Sequence, residues 1–307
     1  MGYLTRAFGT AMTDRAPDIS RGHRAGVRSS RVAVFGGALL IVVLLFVVLG
    51  PFLWPLAPDA INTSVRNQGG SWAHPMGTDQ LGRDMFARVL VGGRISLSVG
   101  FVAMVLSVGL GTFVGVLSGY FRKLDGILMR TTDLFLSLPL LPLLLVAVML
   151  FREPLNRQFG PETGIFILIV VAIGATSWMS TARIVRGEVI GLRERDFVLA
   201  ARSSGTRRRA MITRHILPNV MSPIVVSATL GIANAIITES ALSFLGLGFP
   251  PDFATWGRLL NDGTVYLTQY PGRALWPGTA ITMTVLAVTY LGEGVRDALH
   301  PRSASVR

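Results

Sequence analysis

Asp196-Phe197-Val198-Leu199-Ala200-Ala201-Arg202-Ser203-Ser204-Gly205, followed by Arg214-His215-Ile216-Leu217-Pro218-Asn219, forms a polar island between two long apolar segments. The surrounding stretch from Arg183 to Arg214 holds nine arginines. Its first part reads as a short helix. Asp196 suits an N-cap, whose side chain accepts a backbone N–H, and Gly205 suits the left-handed position that closes a helix. Ala200 and Ala201 leave a low surface that another protein can approach. Upstream, Trp178 to Arg195 closes the preceding apolar segment. Downstream, Arg207, Arg208 and Arg209 lead back to apolar sequence at Pro218.

Working outward, half of the 307 residues are hydrophobic and 15% are charged, against about 25% charged in soluble domains. Six apolar segments stand out, at 32–54, 95–120, 126–151, 164–182, 216–249 and 274–292. Each is long enough to cross a hydrocarbon core of about 30 Å as a helix, and in lipid only helices satisfy their own backbone here. The expected fold is an all-α membrane protein with six transmembrane helices. A polar loop carrying a short helix, 183–215, joins helices 4 and 5. The expected order is a basic tail 1–31, a first span 32–54, an outer loop 55–94, a core 95–292 and a tail 293–307. The segment 216–249 exceeds one crossing, so a kink or interfacial start is expected near Pro218 and Pro223. The long polar lead and the lack of a small-x-small site make 32–54 a signal anchor rather than a cleaved signal.

Charge orients the spans. With the N-terminus inside, inner segments carry 20 of the 29 Lys and Arg residues and outer segments eight, Arg130 lying within a span. Cytoplasmic loops are the basic ones, so both termini and the 183–215 loop are expected in the cytoplasm. This accounts for most of the net charge of +12 and leaves no case for nucleic acid.

Function classes narrow by absence. The chain has no cysteine, and its one lysine, Lys123, follows Arg122. A phosphate-binding P-loop needs Gly-Lys followed by Ser or Thr, so any ATP that drives this protein is hydrolysed by another chain. No His pair has ligand spacing, and no Gly-x-Ser-x-Gly or His-Glu-x-x-His occurs. No metal site and no catalytic residue are expected. The rival classes are an intramembrane enzyme and a polybasic membrane anchor.

Three charges fall in apolar segments. Arg130 and Asp133 are three apart, share a helix face and can pair. Glu239 stands near Asn234, Thr238 and Ser240. Such residues face a bundle interior or an aqueous path, so each is a candidate for the pathway or for a structural brace. Ala103, Ser107, Gly111, Gly115 and Gly119 recur every four residues. That stripe permits close helix approach, within the bundle, at a subunit interface or at a moving gate.

Several segments together resemble a known family. Ala200, Ala201 and Gly205, with Arg214 to Asn219, resemble the extended Glu-Ala-Ala motif of ABC-importer permeases. Leu199 stands where the family has glutamate. His74-Pro75-Met76-Gly77-Thr78-Asp79-Gln80-Leu81-Gly82-Arg83-Asp84 is similar to the outer-loop signature of C-type permeases for dipeptides, oligopeptides and nickel. So are Arg94-Ile95-Ser96-Leu97, Asp125 with Arg130, Asp133 and Pro139, the run Glu239 to Gly248, and Leu291 to Leu299. The matches span about 74 to 300, and residues 1–31 are not covered.

The resemblance implies a subunit of a bacterial inner-membrane importer. It implies a second homologous permease and two ATPase subunits, or one fused ATPase, that bind ATP and Mg. It also implies an extracytoplasmic substrate-binding protein. This chain would carry no cofactor. Substrates would be di- or oligopeptides, with nickel complexes or other small solutes as the alternative. Asp196, Leu199, Ala200, Ala201, Gly205, His215, Pro218 and Asn219 would couple to the ATPase. The grip there would rest on shape, on Asp196 or on the arginines, which would otherwise face anionic lipid. His74, Gly77, Thr78, Asp79, Gly82, Arg83 and Asp84 would dock the binding protein or form a lid.

Overall fold

The computed structural model describes residues 19–299, with side chains from 31 to 298. Most of the expected tail 1–31, and the end beyond 299, lie outside the described residues. The described chain is helical, with one isolated bridge between Thr78 and Asp84. Helix α1 spans Ile19–Leu53, α2 Met85–Tyr120, α3 Arg122–Ser137, α4 Leu140–Phe159 and α5 Pro161–Arg193. The short α6 is Asp196–Ser203. A single turn, α7 at Arg208–Ala210, runs through π and 3₁₀ turns into α8 at Met221–Phe244. Helices α9, Trp256–Thr264, and α10, Gly272–Leu299, complete the chain.

Five of these helices are long and apolar enough to cross a membrane, and the bent pair α3–α4 makes a sixth span. The expected crossing at 126–151 is corrected. Pro139 has no N–H and pushes Leu138 into extended backbone (φ −79°, ψ 134°). The helix stops there and turns through 88°. Leu140–Phe159, 20 residues, spans about 30 Å at 1.5 Å per residue, whereas α3 lies across its end and buries only Thr132. The span 95–120 also starts earlier, at Met85, because Asp84 caps it by accepting the Ala87 N–H.

Helices α2 and α5 form the most extensive helix pair. Gly111, Gly115 and Gly119 are all buried against α5. A Cβ at Gly115 would come within 2.7 Å of the Ala182 carbonyl oxygen. Of the readings open for this stripe, packing within the bundle is the one observed. Four apolar clusters fill the rest, the smallest being Leu144, Ala172 and Leu242. One at the end away from α6 contains Val99, Ile165, Ile169, Ile173 and Phe249. A second, at the α6 end, contains Val116, Val185, Val189, Val198, Met211 and Ile216. A third joins α1, α2 and α9 through Val47, Val89 and Trp256.

Helix α1 tolerates Pro51 through a neighbour. The ring removes an N–H from the ladder, and Arg94 of α2 donates to the carbonyl oxygens of Val47 and Val48 at 3.1 and 2.6 Å. The Arg94 guanidinium also stacks on Phe52. Part of the Arg94–Leu97 segment is therefore a helix repair.

Candidate coupling and translocation sites

Helix α6 is a short element held by its cap and one anchor. Its termination is a Schellman motif: the Gly205 N–H bonds to the Arg202 carbonyl and the Thr206 N–H to that of Ala201, at 3.1 Å each. Gly205 adopts φ +77°, a conformation only glycine reaches without strain. At the other end the expectation needs correction. Arg195 occupies the N-cap position, and Asp196 is the first helical residue, making no side-chain cap bond. Its carboxylate still suits the positive helix end.

Val198 is buried and locks α6 to Val189 and Met211, with Ala201 and Leu192 alongside. Phe197 and Leu199 point outward, 44% and 45% exposed, with Ala200 beside them also exposed. The glutamate position is thus part of an exposed apolar ridge.

The tail of the motif forms the irregular entry to α8. Met211–Ile216 is a π turn and Leu217–Val220 a 3₁₀ turn. Pro218 supplies no N–H, so the ladder is short of a donor here. The Asn219 side-chain amide donates to the His215 carbonyl oxygen at 2.7 Å. The kink expected near Pro218 is present in this form.

The charges of α3 do not pair as expected. Asp133 bonds Arg183 of α5 at 2.5 Å, not Arg130. Asp125 accepts two bonds from Arg186, from Nε at 2.5 Å and Nη2 at 2.7 Å. Arg193 donates to the carbonyls of Gly119 and Tyr120. Three of the nine loop arginines are therefore clamps within the chain, Arg183 from an exposed position. The other six, at 195, 202, 207, 208, 209 and 214, are exposed.

A groove of about 810 Å³ runs along this half of the bundle. One wall carries hydroxyls and amides: Thr176, Ser177 and Ser180 of α5, and Ser227, Asn234 and Thr238 of α8. The facing wall is apolar, with Phe135, Leu136 and Leu138 at the α3–α4 bend and Leu140 and Leu143 on α4. It follows α8 from Pro223 to Thr238, about 22 Å at 1.5 Å per residue. Charge enters its lining only at Arg296 and Asp297 of α10.

Arg130, Asp133 and Glu239 are absent from this lining. Glu239 is fully buried, accepting hydroxyls from Ser96 at 3.0 Å and Ser243 at 2.7 Å. Ser96 also accepts the Trp256 N–H. The carboxylate thereby ties α2, α8 and the start of α9 together.

The outer-loop motif turns inward. Thr78, Asp79, Arg83 and Asp84 are buried. Asp79 accepts the N–H groups of Leu81 and Arg83 and the Arg83 guanidinium at 2.6 Å. Asp84 accepts Trp54 Nε1–H and contacts His74 Nδ1 at 2.7 Å. Gly82 has φ +75°, and a Cβ there would strike the Asn62 carbonyl. Of the seven residues named for docking or a lid, His74 is half-buried and the other six are buried, and their mutual bonds lock the loop. Exposure in this region belongs instead to Trp72, Ile61, Phe52 and Leu53.

Comparison with known proteins follows this geometry. Residues 107–305 match the family described as binding-protein-dependent transport system inner membrane component. Residues 26–69 match the N-terminal transmembrane domain of oligopeptide transport permease C. The chain belongs to this family of ABC-importer permeases. A Brucella suis protein provisionally named a peptide permease is 42% identical over 278 residues, 89% of this chain and 88% of its own. The dipeptide transport system permease protein of Alkalihalophilus pseudofirmus is 35% identical, covering 91% and 88%. Among solved structures, the permease shares its fold with the inward-facing MetNI methionine ABC transporter. That match has a TM-score of 0.52 and 18% identity, covering 73% of this chain and 98% of the other. An amino acid ABC transporter crystallised with histidines gives 0.50 and 19%, covering 69% and 94%.

The permease is a multi-pass inner-membrane transport subunit rather than an enzyme, and ATPase and permease partners go with this family. Sequence reasoning missed the polar wall of its groove. The signal was present as Thr176, Ser177 and Ser180 on one side and Ser227, Asn234 and Thr238 on the other, all inside apolar runs. It also missed Phe197, because a lone aromatic in a polar loop carries no period.

Proposed function

We propose that this permease forms one half of a path for di- or oligopeptides across the inner membrane. ATP hydrolysis occurs in partner chains, which hold the nucleotide and Mg. The full assembly pairs it with a homologous permease, two ATPase subunits or one fused ATPase, and an extracytoplasmic binding protein. Helix α6, both termini and the six exposed arginines face the cytoplasm, as the positive-inside asymmetry supports.

The observation that carries this reading is the juxtaposition of groove and α6 in one half of the bundle. An eight-residue helix, anchored at Val198 and closed at Gly205, presents Phe197, Leu199 and Ala200 to a partner. With Leu199 in place of glutamate, the contact is apolar, and aromatic residues are typical anchors in such pockets. Coupling then passes from Asp196, Leu199, Ala200 and Ala201 through Gly205 to His215, Pro218 and Asn219 at the entry to α8. The groove stops short of the apolar cluster around Val99, Ile169 and Phe249, as an inward-open half-path would. Its wall supports a peptide substrate. Hydroxyls and amides match the hydrogen-bonding groups of a peptide main chain, and the leucine wall accommodates varied side chains. The substrates named in the two relatives, peptide and dipeptide, agree with this.

The test is uptake. The permease, co-assembled with its partner subunits in proteoliposomes, should accumulate labelled di- or tripeptide when ATP and the loaded binding protein are supplied. Uptake of another solute with no peptide uptake would overturn the substrate assignment. Uptake unaffected by Phe197→Ala together with Leu199→Ala would overturn the α6 contact.

A further inference from the structure

Helix α3 has little apolar reason to sit where it does. Of its 16 residues only Thr132 is buried, and its ring contact with α5 is Phe135 edge-on to Trp178 at 6.3 Å between centroids, so packing contributes little to its placement. Instead it is fastened to α5 at two points. Arg186 holds Asp125 through two bonds, and Arg183 holds Asp133 through one. Arg193 adds a third fastening, on the last residues of α2 just before α3 begins. At about 100° per residue, Arg183, Arg186 and Arg193 fall within roughly 80° of one another on α5. They form one basic face.

The two ends of this arrangement matter. Arg193 is the last residue of α5, three positions before Asp196 opens α6. At its other end α3 runs into the Pro139 bend, where Phe135, Leu136, Leu138 and Leu140 line the groove. The helix that carries α6 is thus joined by ion pairs to the helix that carries the apolar wall. We propose that the Asp125–Arg186 and Asp133–Arg183 pairs are a strap that moves this wall when α6 is displaced. This rests on α6 being the ATPase contact. The four residues are positioning residues: they touch neither nucleotide nor groove, and they act through α3. Charge suits the task. Packed apolar surface resists sliding, whereas a partly exposed ion pair tolerates reorientation of its helices while keeping its partners together.

The strap is testable in the complete reconstituted transporter by measuring substrate moved per ATP hydrolysed. Asp125→Asn and Arg186→Gln should each keep ATP hydrolysis but lower that ratio by about fivefold. The exchange Asp125→Arg with Arg186→Asp should restore it, and Arg157→Gln, in the exposed Arg157–Glu153 pair of α4, should leave it unchanged. A merely structural role would lower protein yield and leave the ratio alone. The chain has no cysteine, which allows a second arm. Asp125→Cys with Arg186→Cys should be uncoupled, and a short bis-maleimide bridge should recover coupling.

Single variants with the wild-type ratio would overturn the strap, as would a bridged pair that stays uncoupled. Gly205→Val separates the two readings. If it leaves coupling intact, the α6 contact itself is wrong. If it uncouples while the strap variants do not, the strap alone is wrong.

Discussion

Asn219 donates its side-chain amide to the carbonyl oxygen of His215, across Pro218, at the point where a π turn gives way to a 3₁₀ turn. The pair closes a gap that the proline opens. It explains why an amide follows the proline in this motif, since a carboxylate there has no proton to give. Asn219→Asp should therefore behave like Asn219→Ala. Each should lose about 1 kcal/mol, the net worth of a hydrogen bond. Thermal unfolding in detergent reads this directly. An aspartate variant as stable as wild type would show that the bond does not hold the turn.

Gly205→Val should leave membrane insertion intact and abolish substrate-stimulated ATP turnover. Its φ of +77° costs a β-branched residue about 1–2 kcal/mol, and open space around it excludes a simple clash. The effect would come from unwinding the α6 terminus. Gly205→Asn, which tolerates the left-handed region better, should keep most activity. Equal loss in both variants would point away from backbone conformation.

Asn234→Asp places a carboxylate in a groove whose lining carries charge only at Arg296 and Asp297. A charge pair about 5 Å apart is worth about 1–3 kcal/mol at intermediate dielectric. Uptake should shift toward cationic over anionic peptides by roughly five- to 150-fold, whereas Asn234→Ser should shift nothing. Competition between Lys- and Glu-containing peptides in proteoliposomes measures this. An unchanged ratio would place the passage elsewhere.

Asp262 of α9 lies 3.1 Å from Arg258, yet burial raises its carboxyl above the ordinary carboxylate value, outweighing the arginine's pull. The folded protein then holds this proton more tightly than the unfolded chain. Stability contributed by the protonated form is lost as pH rises from the ordinary carboxylate value through the raised one. Asp262→Asn should accordingly melt higher than wild type at neutral pH, with the difference shrinking on acidification. A melting difference that grows toward acid pH would contradict the sign.

The spans and α6 were legible in the sequence because hydropathy and capping are local. Gly205 could be placed by its neighbours alone. What escaped was non-local. Hydropathy averages over a window, so the apolar run 126–151 concealed a right-angle turn that only the proline at 139 betrayed. Arg130 was the near partner for Asp133 along one helix, but the fold brings Arg183, fifty residues away, in a pair that stays half-exposed. The outer motif misled through its polarity. Asp79 and Asp84 look like surface carboxylates, yet they spend their oxygens on backbone N–H groups and buried cations. The cue was position: an aspartate immediately before a long apolar helix is a cap.

The glycine stripe of α2 has a mechanical consequence. With Gly111, Gly115 and Gly119 seated against Thr181, Val185 and Val189, α2 and α5 are keyed together like a rack and its pinion. Slippage between them would drive backbone into side chain at every fourth residue. The pair therefore behaves as a single beam roughly 50 Å long. A push delivered at one end arrives at the other as tilt rather than being absorbed along the way.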